Sequence, residues 1–178
     1  QILLTFSDTE DRKKSLNSRE TIFELLKFGI IPIINENDSV AVDELKFGDN
    51  DRLAARVSQI IEADQLILLS DVDGLFTKNP KENKKAELIL EVNDINDEIF
   101  KMASSETNLY GTGGMNTKLQ AAQIASKSGC ETILVRGNKK NPIRSYLRDK
   151  KGTKFLAKKK GRNSFKNWLA GSIKVNGE

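Results

Sequence analysis

The chain has 178 residues, enough to bury one core and to make a single domain with a small appendage. It contains no histidine and one cysteine, Cys130, which excludes His-based nucleophilic schemes, His-ligated metals, an internal disulfide and a cysteine-rich zinc site. The formal net charge is +4, and no apolar run approaches a membrane span or a secretory signal layout.

What remains for an enzyme is carboxylates, lysines, backbone N–H groups and an oxygen-liganded Mg²⁺. Phosphoryl transfer suits that set, because it depends mostly on positioning and charge stabilisation.

In chain order, Ile2–Phe6 reads as a buried strand entered directly from Gln1 without an initiator methionine, which suggests a fragment lacking its N-terminal part. A helix capped by Ser7 or Asp8 is expected to run to Phe28, with an interruption at Asn17-Ser18. Gly29 ends it, and Ile30-Ile31-Pro32-Ile33-Ile34 is the next apolar strand. A polar loop from Asn35 to Ser39 continues to Gly48-Asp49-Asn50-Asp51. Leu53, Ala54, Val57, Ile60 and Ile61 then recur at helical spacing.

Leu66–Leu69 is a buried strand ending at Ser70-Asp71-Val72-Asp73-Gly74, followed by a polar excursion over residues 77–86 around Asn79-Pro80. Leu88–Val92 is a further strand, and Asp97–Met102 a short helix capped by Asp94 or Asn96. Thr132–Val135 is a strand ended by Arg136-Gly137-Asn138, and Pro142 opens a last helix through Leu147. Strands alternating with helices predict an α/β fold with a mostly parallel sheet, whose ligands bind beyond the C-terminal ends of the strands.

The most informative stretch is Gly111-Thr112-Gly113-Gly114-Met115-Asn116-Thr117-Lys118, directly before an alanine-rich helical pattern. Glycines permit close backbone approach, and a helix start offers unpaired N–H groups at a positive dipole end. A nucleotide phosphate is one reading and a glycine-rich turn with an ordinary lysine the other, since the lysine spacing does not match a Walker A loop. Asn35, Asn37, Asp38, Asp49, Asn50 and Asp51 crowd one strand-to-helix connection, more polar groups than one helix cap needs. Carboxylates can hold an ammonium group and side-chain amides can hold a carboxylate, so an amino-acid ligand would satisfy both.

Together, Pro32–Asp38, Gly48–Asp51 with Leu53-Ala54-Ala55, Asp71–Phe76 with Asn79-Pro80, and Gly111–Lys118 with Leu119, Ala121 and Ala122 resemble the amino acid kinase family in order and spacing. The resemblance covers essentially the whole chain. It implies an open αβα sandwich that moves the γ-phosphoryl of MgATP onto the side-chain carboxylate of L-glutamate, opening proline biosynthesis. By motif, it implies that Asp38 and Asn50 bind glutamate with Asn35 and Asp49 nearby. Asp51 would orient catalytic lysines, and Lys118 would neutralise the transferring phosphoryl. Ser70 and Asp71, with Thr112, Gly113, Gly114, Met115, Asn116, Thr117 and Lys118, would line the ATP site. Ser70 stands where the family suggests threonine, which keeps the hydroxyl.

The resemblance assigns residues 1–149 to the kinase domain, 150–163 to a basic linker and 164–178 to the truncated start of a PUA-like domain near Trp168. The family also has an N-terminal strand and glycine loop with a second catalytic lysine, and a serine-containing loop contacting glutamate. Neither is in this sequence, so the fragment alone is expected to be inactive or nearly so. A cytoplasmic homo-oligomer, dimer or tetramer, with feedback inhibition by proline is further implied.

Other family substrates (acetylglutamate, aspartate, carbamate or uridylate) are the first alternative, and a regulatory homologue without activity is another. An RNA-binding module using the basic run Lys150–Lys166 is a third. Against RNA, few aromatic residues are interleaved with that run.

Overall fold

The structure is a computed structural model and describes residues 1–41, 50–104 and 114–157. Residues 158–178, with the expected PUA-like start and the last part of the linker (158–163), lie outside the described residues, as do Asp49, Thr112 and Gly113.

Strand β1 (Ile2–Leu4) ends at Thr5, which caps helix α1 (Phe6–Glu10) through a reciprocal capping box. The Asp8 N–H donates to the Thr5 hydroxyl, and the Asp8 carboxylate accepts from the Thr5 N–H at 2.7 Å. Thr5 therefore fills the role expected of Ser7 or Asp8. The helix break falls at Asp11, whose carboxylate caps α2 (Arg12–Lys27) by accepting from the Lys14 N–H at 2.9 Å. No interruption occurs at Asn17-Ser18, because Ser18 donates back to the Lys14 carbonyl and Thr21 to that of Asn17, satisfying both hydroxyls within the helix.

Gly29, at φ +72°, closes α2 in a Schellman arrangement: its N–H donates to Leu26 O and the Ile30 N–H to Leu25 O. Ile30 is thereby part of the cap and Pro32 has no N–H to offer. Strand β2 consequently starts later than expected, at Ile34–Glu36, pairing parallel with β1.

Helix α3 (Asn50–Ile60) leads into β3 (Gln65–Ser70), and α5 (Met115–Lys127) leads into β5 (Glu131–Arg136). Between them stand β4 (Glu91–Val92) and α4 (Asp97–Ser104), whose first N–H groups donate to the Asn96 side chain. Of the expected strand Leu88–Val92, only Glu91–Val92 is strand, and Leu88 makes an isolated bridge with Phe76. Helix α6 (Pro142–Asp149) has its proline in the first turn, as expected.

Strand β6 (Thr153–Phe155) corrects the expected linker, since its residues lie in the sheet. The basic run hid a period of two: Thr153 and Phe155 are buried while Lys154 points outward to Glu131.

The larger sheet runs β3-β5-β6-β4, with β3/β5 and β4/β6 parallel and β5/β6 antiparallel; β1 and β2 form a second, parallel pair. Alternate residues of β3 and β5 face opposite layers. Leu68 and Leu134 pack with α3 and α5 through Ala55, Leu119, Ala121 and Ala122, whereas Ile67, Ile133 and Val135 meet Tyr146 of α6. This is the mostly parallel αβα sandwich that the sequence predicts. An apolar cleft of about 370 Å³, lined by Ile34, Leu53, Val57 and Leu66, lies between β2 and β3 along α3.

Candidate active site

A helix that packs back along the strand it feeds begins at the edge of the sheet where that strand ends. Both α3 and α5 do so, which puts their N-termini beside the C-terminal ends of β3 and β5. The two helices pack against each other, with Gln59 Nε2 donating to the Ile124 carbonyl at 3.0 Å three turns in. Small side chains on the facing surface (Ala55, Ala121, Ala122) are fully buried and allow close approach.

At the shared N-terminal end, Lys118 Nζ donates to Asp51 Oδ2 at 2.9 Å. The pair is largely buried, with side chains 11% and 19% exposed. Thr117 Oγ1 lies 2.8 Å from Gly114 O and 3.4 Å from Asp51 Oδ2. A lysine in the first turn opposes the positive end of the helix dipole, so its place at α5 is unfavourable for helix stability. Asp51 at the start of α3 offsets that cost. Local propensity and observed placement disagree here, the pattern expected where a residue serves chemistry.

Of the sequence-expected site residues, the structure therefore brings Asp51, Thr117 and Lys118 together. Gly114 is the N-cap of α5 in extended conformation, without a side-chain cap; Met115 is buried and Asn116 exposed. Asn35 and Asp38 are exposed at the end of β2, and Asn50 is exposed in the first turn of α3. The Asn37 N–H donates to Leu4 O, so that residue anchors the turn after β2. Ser70 ends β3 and its hydroxyl donates to Asp71 Oδ1 at 3.1 Å.

Sequence reading singled out the Ser70–Gly74 and Arg136–Asn138 stretches but missed the cluster they make. Asp73 Oδ1 accepts from Lys139 Nζ at 2.6 Å, and its Oδ2 lies 3.2 Å from Arg136 Nη2. Burial would raise the Asp73 pKa, but hydrogen bonds from Lys139 and Arg136 and their charge hold it below the ordinary carboxylate value. The contact follows from the parallel pairing of β3 and β5, which sets Ser70 opposite Arg136 and which the sequence alone does not show.

Two adjoining helix starts, a buried lysine and a hydroxyl-bearing strand end fit a nucleotide's phosphates. Among the described residues, no group of three or more His, Cys, Asp or Glu stands close enough to hold a metal, and no helix is long and apolar enough to cross a membrane.

A family model described as amino acid kinase family matches residues 1–137. A Pelagibacter ubique protein named glutamate 5-kinase is 48% identical over 177 residues, covering 99% of this chain and 48% of that protein. A Paramagnetospirillum magneticum protein of the same name is 45% identical over 177 residues, with 99% and 48% covered. The chain thus spans about half the length of the curated relatives it matches.

Among solved structures, UMP kinase from Ureaplasma parvum aligns with a TM-score of 0.55 at 20% identity, over 78% of this chain and 52% of that one. Carbamate kinase from Giardia lamblia aligns at 0.58 and 18% identity, over 79% and 45%. These two share the fold. With the family model spanning residues 1–137 and the Asp51–Lys118 pair joining two helix starts at the sheet edge, the chain belongs to the amino acid kinase family.

Proposed function

We propose that the protein transfers the γ-phosphoryl group of ATP to the side-chain carboxylate of L-glutamate, giving glutamate 5-phosphate and ADP, the first step of proline biosynthesis. The relatives at 45–48% identity, named glutamate 5-kinase, favour this acceptor over the other substrates of the family. The observation that carries the catalytic part is the Lys118–Asp51 pair at the joined starts of α3 and α5.

The acceptor accounts for the composition. A γ-carboxylate is already ionised at neutral pH. One of its oxygens attacks the γ-phosphorus while the bond from phosphorus to the β,γ-bridging oxygen breaks, and ADP leaves with that electron pair. No proton need be removed from the nucleophile, so a site without histidine suffices.

Lys118 neutralises charge building on the transferring oxygens, and Asp51 keeps its ammonium aimed there. Thr117 and the backbone N–H groups from Thr112 to Lys118 cradle phosphate, and Ser70 and Asp71 line the nucleotide side. Asp38 and Asn50, with Asn35 and Asp49, hold the amino and carboxylate groups of glutamate. Mg²⁺ supplies further charge neutralisation and would travel with the nucleotide, since this ion is commonly held by substrate phosphates and one or two carboxylates. We place the protein in the cytoplasm as a homo-oligomer subject to proline inhibition.

The test is ADP release by the full-length protein with ATP, Mg²⁺ and L-glutamate. Turnover should require glutamate, and Lys118→Ala should lower kcat by about 10²–10³-fold. Turnover with carbamate, aspartate, acetylglutamate or UMP in place of glutamate would sink the substrate assignment. Undiminished turnover in Lys118→Ala would sink the catalytic one.

A further inference from the structure

The Asp73 cluster stands at the same sheet edge and has no part in the reading above. Its carboxylate is held on a loop fixed at both ends. On one side the Gly137 N–H donates to Ser70 O at 2.7 Å, and a Cβ at Gly137 would lie 2.9 Å from Leu69 Cβ, so the turn after β5 must lie flat against the end of β3. On the other side the Leu75 N–H donates to the buried hydroxyl of Thr153, which itself donates to the Ile89 carbonyl. Gly74, at φ +156°, presses against that hydroxyl: an added Cβ would meet Thr153 Oγ1 at 2.5 Å.

Within the cluster the acid is innermost. The side chain of Asp73 is 18% exposed, against 32% for Arg136 and 44% for Lys139. A ligand approaching the ends of β3 and β5 therefore meets two cations backed by one carboxylate, a net positive face. A solvent-exposed ion pair contributes little stability and needs only one cation. Two different cations on one anchored carboxylate are instead oriented, and guanidinium and ammonium groups are the side chains that match phosphate oxygens. At the neighbouring helix starts Lys118 is already matched by Asp51. A triphosphate carries more negative charge than that pair can balance.

We infer that Asp73 is a positioning residue that holds Arg136 and Lys139 as an anion-recognising pair for the polyphosphate of the nucleotide. The inference rests on the kinase reading of the same sheet edge. It assigns to the turn after β5 a share in nucleotide affinity that leaves glutamate binding untouched.

The experiment compares full-length wild type with Lys139→Ala, Asp73→Asn and Asp73→Glu. It measures kcat, the KM for ATP and for glutamate, and calorimetric affinity for ADP and for adenosine. Lys139→Ala and Asp73→Asn should each raise the KM for ATP and weaken ADP about 10-fold or more, the size of one lost charge-assisted contact. Glutamate KM and adenosine affinity should stay within twofold, and Asp73→Glu should recover part of the loss.

Unchanged ATP and ADP parameters in an active protein would overturn this inference alone. Equal weakening of ADP and adenosine would assign the cluster to the nucleoside, and a matching rise in glutamate KM would mark a general loss of structure; either outcome overturns the polyphosphate role. Should Asp73→Asn fail to fold, Lys139→Ala still decides, because Lys139 lies on an exposed turn. A wild type that binds no nucleotide would overturn both readings together.

Discussion

Lys118 is buried in the first turn of a helix, where a cation is unfavourable, and its partner Asp51 is on a different helix. Breaking such a pair strands a charge, whereas removing both partners need not. Lys118→Met alone should cost about 1–3 kcal/mol in urea unfolding, and the Lys118→Met/Asp51→Leu double variant less than that. If the double variant were the less stable, the pair would be a structural tie rather than one kept for chemistry.

Acid behaviour also belongs to single residues. Asp8 and Asp73 both titrate below their ordinary value of 3.8; burial raises each, and the bonds from Thr5 and Lys14, or Lys139 and Arg136, outweigh it. A carboxylate with a depressed folded-state pKa binds fewer protons folded than unfolded. The stability these two contribute is therefore present above pH 3.8 and is lost as pH falls through their lower folded values. Asp8→Asn should flatten that acid limb in a pH series of urea midpoints; an unchanged limb would mean that the capping box does not hold in solution.

At the scale of elements, hydrogen-bond chemistry decided boundaries that hydrophobic pattern could not. The strands β3 and β5 and the helix α3 were legible because apolar spacing alone marks them, although only β5 is buried along most of its length while Leu69 of β3 is half exposed. The start of β2 was not, because Ile30 serves the Schellman cap of α2 and Pro32 has no N–H. Strand β6 was hidden among lysines, since three residues with two buried make too short a run to show a period.

The elements can be tested where they are most constrained. Thr5→Ala should cost about 1 kcal/mol by opening the capping box. Gly74→Ala should cost more, about 1–3 kcal/mol, because its Cβ would collide with Thr153 and Leu88. Equal losses in thermal unfolding would contradict the tight junction between the loop after β3 and strand β6.

For the whole molecule, the parallel sheet explains why distant stretches converge. Asp51 and Lys118 are 67 residues apart, and Asp73 and Lys139 are 66 apart, yet each pair touches because helix starts and strand ends share one edge. The sequence named Asp51, Lys118, Ser70 and Asp71 through motif and strand-end logic. It did not reveal that Asp73 would bridge to Arg136 and Lys139, because that contact depends on β3 and β5 being adjacent.

The most direct test of the central claim is to trap the product. An acyl phosphate reacts with hydroxylamine, so full-length protein supplied with ATP, Mg²⁺, L-glutamate and hydroxylamine should yield γ-glutamyl hydroxamate in step with ADP. Lys118→Ala should suppress both. ADP release without hydroxamate, or hydroxamate from a different carboxylate, would contradict transfer to the glutamate side chain.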